Sequence, residues 1–450
     1  MDIQNTWLVL LPAVITVCVA VVSRRPIESL LAGILVGLLM LGPTTALDQF
    51  SNMLLEVMMS ETIAWVIIVC GLMGSLIMLL LRVGSVDAFS EALAAKAKSS
   101  KSALMYTWLL GIIVFIDDYL NALAVGAAMR KVTDQFGVSR EKLAYVVDST
   151  AAPICVLVPI STWAVFYASL FQESGFAEPG QGIDLYISAI PYMIYPIVAV
   201  LLVPLVALEV IPAFGPMKAA ELRSAQSPLR QPATLTDEDN TQEPDREVRL
   251  YHFLLPLATL IGFTLWYELD VQIGVIASVT LTILLFGAQR LLAWTEMFDA
   301  VLDGIKMMLP ALTIVVIAFV FKEVNDQLGL PNFVIANIAP LMTPLLFPVV
   351  TFLTMALISF ATGSSWGVFA IAIPIILPLA TSVGVSIPLA IGALLSASAF
   401  GSHACFYSDA TVLAAQGSGC DVIDHALTQI PYALIAAAMS CIGLTLIAAF

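Results

Sequence analysis

Long apolar runs, each close to the length of a membrane-crossing helix, recur along the chain. A bilayer core about 30 Å thick needs about 20 apolar residues per helix. The runs lie near 5–22, 27–43, 62–81, 103–129, 143–171, 185–211, 251–268, 272–289, 309–321, 345–380, 391–417 and 428–449. Only 11% of the 450 residues are charged, whereas soluble domains carry about 25%. The sequence therefore predicts an all-α polytopic protein in a lipid bilayer. It excludes a soluble enzyme, and its formal net charge of −15 excludes a nucleic-acid binder.

The positions of the basic residues indicate how the runs are oriented. Basic residues follow the first, third and fourth runs, whereas loops 44–61 and 172–184 contain acidic residues and no Lys or Arg. By the positive-inside rule, these two loops are external. Run 103–129 has basic clusters at both ends, so both ends are expected on the cytoplasmic side. A re-entrant hairpin satisfies the rule, and its tip, FIDDYLN, then lies near the middle of the membrane.

A polar segment divides the chain into two similar halves. Residues 213–249 contain TDEDNTQEPDRE and are expected to be a solvated cytoplasmic linker between 1–212 and 250–450. An offset of 247 residues aligns two stretches of these halves without gaps, at low identity, and pairs Ser161 with Ser408. Each half then contains five crossings and one hairpin, and an odd number of crossings inverts the second half. We predict two inverted-topology repeats with discontinuous helices at the midplane, which is typical of secondary transporters.

Polar residues at the hairpin tips and in the broken helices are the candidates for a transport site. No Lys or Arg shares an apolar segment with Asp117, Asp118 or Asp148. A buried carboxylate must be neutralised. This requires a proton, a bound cation or a basic residue brought close by folding. We predict that these three aspartates bind Na⁺ and H⁺ alternately, as in a cation/proton antiporter. The other predicted binding residues are Asn121, Ser149, Thr150, Ser161, Thr162, Gly363, Ser364, Ser365, Ser408 and Asp409.

The second hairpin tip keeps another function open. Residues 363–365, Gly-Ser-Ser, are small and uncharged, and a helix that starts there would offer free backbone amides to a carboxylate. One acidic tip and one amide tip together suit a zwitterion. The alternative prediction is therefore a Na⁺- or H⁺-coupled transporter of an amino acid or a small organic acid. His403, the only histidine in a candidate broken helix, is expected to be a packing residue.

Three segments resemble the NhaC family of Na⁺/H⁺ antiporters, within the ion transporter superfamily. They are residues 115–163, which begin FIDDYLNALAVG, the TGSSWG of 362–367, and 407–434, which begin YSDATVLAAQGSG. The resemblance implies a bacterial inner-membrane secondary transporter, and not an enzyme, that needs no cofactor and moves or couples to Na⁺ and H⁺. It also implies two inverted repeats with hairpins that move as an elevator, often in a homodimer. Some members are thought to exchange malate for lactate or to carry amino acids, so a zwitterionic or anionic solute stays open.

Overall fold

The structure, a computed structural model, describes residues 6–23, 25–85, 88, 96–226, 248–267, 270–338, 340, 342–362, 366–406 and 408–450. These residues form helices and connecting loops and contain no β-strand. The helices of the first half are α1 (Leu11–Ser23), α2 (Pro26–Leu41), α3 (Ala46–Met58), α4 (Glu61–Arg82), α5 (Ser100–Ile113), α6 (Gly126–Gln135), α7 (Arg140–Thr150), α8 (Ala152–Leu157), α9 (Thr162–Glu173), α10 (Gly182–Ala189), α11 (Ile194–Ala207) and α12 (Gly215–Gln226). A single helical turn, Asp118–Leu120, and a π-helix, Asn121–Val125, precede α6.

The second half contains longer helices. They are α13 (Tyr251–Trp266), α14 (Val271–Ala288), α15 (Trp294–Gln327), α16 (Leu330–Ile338), α17 (Phe347–Thr362), α18 (Trp366–Val383), α19 (Ile387–Ala404), α20 (Asp409–Ser418) and α21 (Val422–Ala449). Their apolar side chains form one continuous core with those of the first half. A close helix crossing joins the halves: a Cβ on Gly74 of α4 would lie 2.3 Å from the carbonyl oxygen of Gly304 in α15. Only glycine permits such an approach of two backbones.

Several helices are suited to cross a bilayer. Among the described residues, six are long and apolar enough, and a seventh span results if Gly182–Tyr192 and Ile194–Ala207, bent by 58°, count as one. Five other apolar helices are only 10–17 residues long, including Phe347–Phe360 and Val368–Val383. At 1.5 Å per residue, such helices fall short of a core about 30 Å thick. The last two are the arms of the second predicted hairpin, for which short arms are expected.

Helix boundaries repeat between the halves at the offset found in the sequence. α5 and α17 begin at Ser100 and Phe347, and α7 and α19 begin at Arg140 and Ile387, each pair 247 residues apart. α9 and α20 begin with the same separation. A left-handed glycine precedes each member of the second pair, with φ of +68° at Gly137 and +84° at Gly384. The weak sequence match is therefore accompanied by a match of local structure.

The predicted linker begins with an ordered helix. α12 buries Met217 and Ala220 and packs on α7 and α21. Glu221 of α12 accepts hydrogen bonds from the Lys142 ammonium group and from the Ser139 backbone amide, each at 3.0 Å. These contacts attach α12 to the first turn of α7. The remainder of the predicted linker, residues 227–247, lies outside the described residues.

Candidate ion-binding site

The first predicted hairpin contains a break in its helix. α5 ends at Ile113, and helical structure resumes at Asp118. The Asn121 amide group spans the break, because its nitrogen lies 2.6 Å from the Gly111 carbonyl oxygen and 2.9 Å from that of Thr150. Asn121 thereby satisfies carbonyl groups that the end of α5 leaves without helical partners. The break is thus held against the end of α7.

Asp117 and Asp118 lie at this break and are almost completely buried, with 2% and 1% of their surfaces exposed. The Thr162 hydroxyl donates to Asp117 Oδ2 at 3.1 Å, and the Trp163 indole N–H donates to Asp118 Oδ1 at 3.0 Å. Both donors belong to the first turn of α9, and the Thr162 backbone amide also donates to the Ile116 carbonyl at 3.0 Å. A helix N-terminus carries about half a positive charge. The N-terminus of α9 therefore stabilises these carboxylates, but it does not neutralise their two negative charges.

Asp148 occupies a different environment, formed by residues from both halves. Its carboxylate is fully buried on α7. Three donors from the second half converge on the single oxygen Oδ2: the Gln429 amide at 2.6 Å, a ring nitrogen of His425 at 3.1 Å and the Thr411 hydroxyl at 3.3 Å. Hydrogen bonds from donors of this kind stabilise the ionised form of the carboxyl group. Asp148 is therefore held differently from the pair at the helix break.

A second histidine joins the Asp148 cluster through hydroxyl groups. His403 Nε2 lies 2.9 Å from the Ser149 hydroxyl, and His403 Nδ1 lies 2.7 Å from the Tyr195 hydroxyl. The Gln429 amide nitrogen, which contacts Asp148, also donates to the His403 backbone carbonyl. His403, expected only to pack, therefore belongs to a buried hydrogen-bond network that includes an acidic side chain and a second histidine.

Ser161 and Ser408 have equivalent structural roles in the two halves. Ser161 accepts from the Ala164 amide at 3.2 Å and donates to the Cys155 carbonyl at 2.5 Å. Ser408 accepts from the Thr411 amide at 3.3 Å and donates to the Ser402 carbonyl at 2.5 Å. Both serines cap a helix and close the loop before it. They position the first turns of α9 and α20, which provide the donors to Asp117 and Asp118 and one donor to Asp148.

The structure describes the remaining predicted site residues to different extents. The Thr150 hydroxyl donates to the Val146 carbonyl of its own helix, and the Thr150 backbone carbonyl accepts from Asn121 at the break. Asp409 is the first residue of α20, and its side chain lies outside the described part. The predicted tip Gly363, Ser364 and Ser365 also lies outside the described residues.

The three aspartates belong to separate groups of hydrogen-bond partners. Asp117 and Asp118 bond to the first turn of α9, whereas Asp148 bonds to residues of α20 and α21. Within the described ranges, no three His, Cys, Asp or Glu side chains form a group able to hold a metal ion. Among the hydrogen bonds described, Asp148 thus has different partners from Asp117 and Asp118, with which it is predicted to bind Na⁺.

Sequence reasoning missed all three residues that donate to Asp148, and two of these belong to α21. His425 and Gln429 lie four residues apart and hence on one face of α21. Both are fully or almost fully buried. This spacing of polar residues inside an apolar run was the available signal. It identifies a buried polar stripe, but it does not show that the stripe contacts an aspartate of the other half.

Comparison with known proteins agrees with a transporter. The profile described as the Na⁺/H⁺ antiporter family matches residues 180–449. An uncharacterized protein of Haemophilus influenzae is 27% identical over 98% of this chain and 91% of its own length. Two shorter matches, each 27% identical, are the malate-2H⁺/Na⁺-lactate antiporter of Bacillus subtilis (42% of this chain, 41% of that protein) and the arginine/ornithine antiporter ArcD of Halobacterium salinarum (44% and 42%).

Two solved structures are similar in fold. One is MtrF of Neisseria gonorrhoeae, described as illuminating a class of antimetabolite efflux pumps, with a TM-score of 0.56 and coverage of 89% of this chain and 84% of that one. The other is the YdaH transporter of Alcanivorax borkumensis, with a TM-score of 0.60 and coverage of 89% and 88%. Both are 14% identical to this chain, so the similarity concerns the fold alone.

Proposed function

The chain belongs to the Na⁺/H⁺ antiporter family, and we propose that it exchanges Na⁺ for H⁺ across a bacterial inner membrane. The family and the antiporter relatives support a secondary transporter, which is not an enzyme. In this proposal Na⁺ binds at Asp117 and Asp118 and alternates there with H⁺. Asp148 takes part in the proton half of the cycle.

The observation that carries this proposal is the burial of two adjacent carboxylates at a helix break. Two neighbouring buried carboxyl groups cannot both ionise without a cation or a proton nearby. The chain has no Lys or Arg between Lys101 and Arg130 that could neutralise them from the same segment. A broken helix also provides backbone carbonyl oxygens, and carboxylate and carbonyl oxygens coordinate Na⁺ in transporters of this type.

The repeated helix boundaries support the finer architecture that we propose. In that architecture, the halves 1–212 and 250–450 are inverted-topology repeats, each with five crossings and one re-entrant hairpin, and 213–249 connects them. The short apolar helices Phe347–Phe360 and Val368–Val383 fit the second hairpin. Gly363–Ser365 and Ser408–Asp409 would complete the site from the second half. An elevator movement and a homodimer are further parts of the proposal that follow from the family resemblance.

An organic solute is the second candidate, and the relatives favour it specifically. Two partial relatives are named for malate and lactate or for arginine and ornithine, and both are antiporters. In this alternative, the acidic pair would bind a coupling ion or an ammonium group, and the second hairpin tip would bind a carboxylate. Counterflow of labelled solutes in proteoliposomes separates the two candidates. Na⁺/H⁺ exchange without added solute supports the antiporter, and uptake that requires an amino acid or organic acid supports the alternative.

The direct test uses everted vesicles and a pH-sensitive dye. We expect Asp117→Asn and Asp118→Asn each to reduce Na⁺-dependent dissipation of a pH gradient by about 100-fold or more, because removal of one charge from a buried ionic group costs about 3–5 kcal/mol. Asp48→Asn is the matched control, since Asp48 is exposed in the first turn of α3. Wild-type exchange by both variants at wild-type expression would overturn the site assignment.

A further inference from the structure

We infer that a cavity on the predicted external side of the molecule binds small organic cations, whose ammonium group is held by carboxylates and aromatic rings. The cavity is partly enclosed and has a volume of about 590 Å³. Its walls are the first two turns of α4, the end of α9 with the segment that follows it, and the segment that connects α13 to α14. None of the lining residues is a predicted Na⁺ or H⁺ ligand, so this second site does not depend on the proposed exchange.

The three walls of the cavity belong to the same predicted side of the membrane. Loops 44–61 and 172–184, which contain no Lys or Arg and are expected outside, provide Glu61 and Gly180. α13 follows the predicted cytoplasmic linker, so its far end at Tyr267 is expected outside as well. Packing of α4 against both α9 and α14 brings these segments together. The cavity is therefore expected to open to the external solution.

The lining of the cavity is negatively charged. Glu61 begins α4 and Asp270 immediately precedes α14, and no Lys or Arg occurs among the described lining residues. Asp270 Oδ1 accepts from the Ile273 amide at 3.1 Å, and neither carboxylate is paired with a basic side chain in the described part of the chain. Lys322 of α15, which interacts with the last residue of α9, is paired with Asp326 at 3.1 Å. The charge of the lining therefore favours a cation.

The size of the cavity and its aromatic residues favour an organic cation over a bare metal ion. Its volume falls within the range of small-molecule pockets, about 300–1,000 Å³. Trp65, which is partly buried, and Tyr267, which is 47% exposed, both line it. An ammonium group over an aromatic face is attracted electrostatically by the ring. Gln172 and Gln272 add amide groups that can form hydrogen bonds with the rest of such a molecule.

The cavity contacts the helix that provides donors to the acidic pair. Gln172 lines the cavity from the last turn of α9, whereas Thr162 and Trp163 in the first turn donate to Asp117 and Asp118. At 1.5 Å per residue, the two ends of α9 lie about 15 Å apart. A bound organic cation would therefore contact α4, α9 and α14 together and leave the acidic pair unoccupied.

The first test measures binding without transport, by equilibrium dialysis of the full chain in detergent against radiolabelled benzyltrimethylammonium. We expect a dissociation constant of about 1 mM or below, and no binding of benzoate, which has the same ring and the opposite charge. Glu61→Gln and Asp270→Asn should each weaken binding by about threefold or more, and Asn keeps an acceptor for the start of α14. Glu56→Gln is the control, because Glu56 is exposed near the end of α3 and does not line the cavity. No binding by the wild type, unchanged binding by both cavity variants, or an equal loss in Glu56→Gln would overturn the inference.

The second test locates the bound cation. Ala64 is exposed and lines the cavity, so Ala64→Cys places a thiol there, in a Cys18→Ser background that removes an exposed native thiol. Leu47→Cys is the matched control, because Leu47 is 81% exposed on α3 and does not line the cavity. We expect the ratio of labelling rates by cationic and anionic methanethiosulfonates to be about tenfold higher at position 64 than at position 47, and Glu61→Gln to lower it. Benzyltrimethylammonium should slow labelling at position 64 alone. Equal ratios at the two positions, or labelling at position 64 that the compound does not slow, would show that the cavity is not the binding site.

Discussion

The acidic pair at the helix break and the Asp148 cluster place the same chemical group in two different settings. The partners of Asp117 and Asp118 in α9 come from the same half of the chain, and α9 presents them from its first turn. The donors to Asp148 all come from the other half, and two histidines lie among its neighbours. The first setting offers the carboxylates a hydroxyl group and an indole N–H from one helix turn. The second crosses the interface between halves and contains titratable nitrogens.

The difference lies in the origin of the hydrogen-bond donors. The donors to the acidic pair named above come from α9 of the same half, whereas the three donors to Asp148 come from α20 and α21 of the other half. A movement of one half against the other would therefore change the hydrogen bonds of Asp148. Coupling between the sites is available, because Asn121 bonds to Thr150, two residues beyond Asp148 on the same helix.

The largest effect is expected when the Asp148 cluster is made to resemble the acidic pair. Gln429→Glu places a second carboxylate against Asp148 and removes a donor at 2.6 Å. Two buried like charges cost several kcal/mol, so we expect Na⁺-dependent dissipation of a pH gradient to fall by about 100-fold near pH 8. The measurement is the initial rate in everted vesicles across a range of pH values.

The control for this change separates repulsion from the loss of a donor. Gln429→Leu removes the same hydrogen bond without adding a charge, and a hydrogen bond to a charged group contributes about 1.5–3 kcal/mol. We expect a decrease of about tenfold, which is less than that caused by Gln429→Glu. Equal rates for the two variants would show that the carboxylate at Asp148 is not the group on which Gln429 acts.

A smaller effect is expected from removal of one donor at the acidic pair. Trp163→Phe keeps an aromatic ring in the core and removes the N–H that donates to Asp118 at 3.0 Å. We expect the Na⁺ concentration for half-maximal exchange to change by about tenfold or less. Trp108→Phe is matched to it, because that indole donates to the Val200 carbonyl instead of an aspartate. An equal change in Trp108→Phe would show that the hydrogen bond to Asp118 is not the cause.

The class of fold and half of the candidate site could be predicted from the sequence alone, because the signals for them act over short distances along the chain. Apolar length, flanking charge and helix breakers act locally, so the hairpin tip at Asp117–Asp118 and the broken helix at Asp148 could be predicted. The 247-residue offset also anticipated the matching helix starts. The partners of Asp148 could not be predicted, because Gln429 lies 281 residues away and only tertiary packing brings the two together. That the three aspartates together bind Na⁺ and H⁺ stays a prediction.

The smallest effect is expected at the contact between the linker helix and α7. Glu221→Gln weakens the pair with Lys142 and keeps an acceptor for the Ser139 amide. A partly exposed pair contributes about 1 kcal/mol or less, so we expect the melting temperature in detergent to fall by about 2 °C or less and Na⁺/H⁺ exchange to stay within about twofold of wild type. Glu209→Gln is the matched control, because Glu209 pairs with Lys101 where both side chains are about half exposed, and it should leave the melting temperature unchanged. A large loss of exchange in Glu221→Gln but not in Glu209→Gln would mean that α12 acts during transport on α7, the helix that contains Asp148.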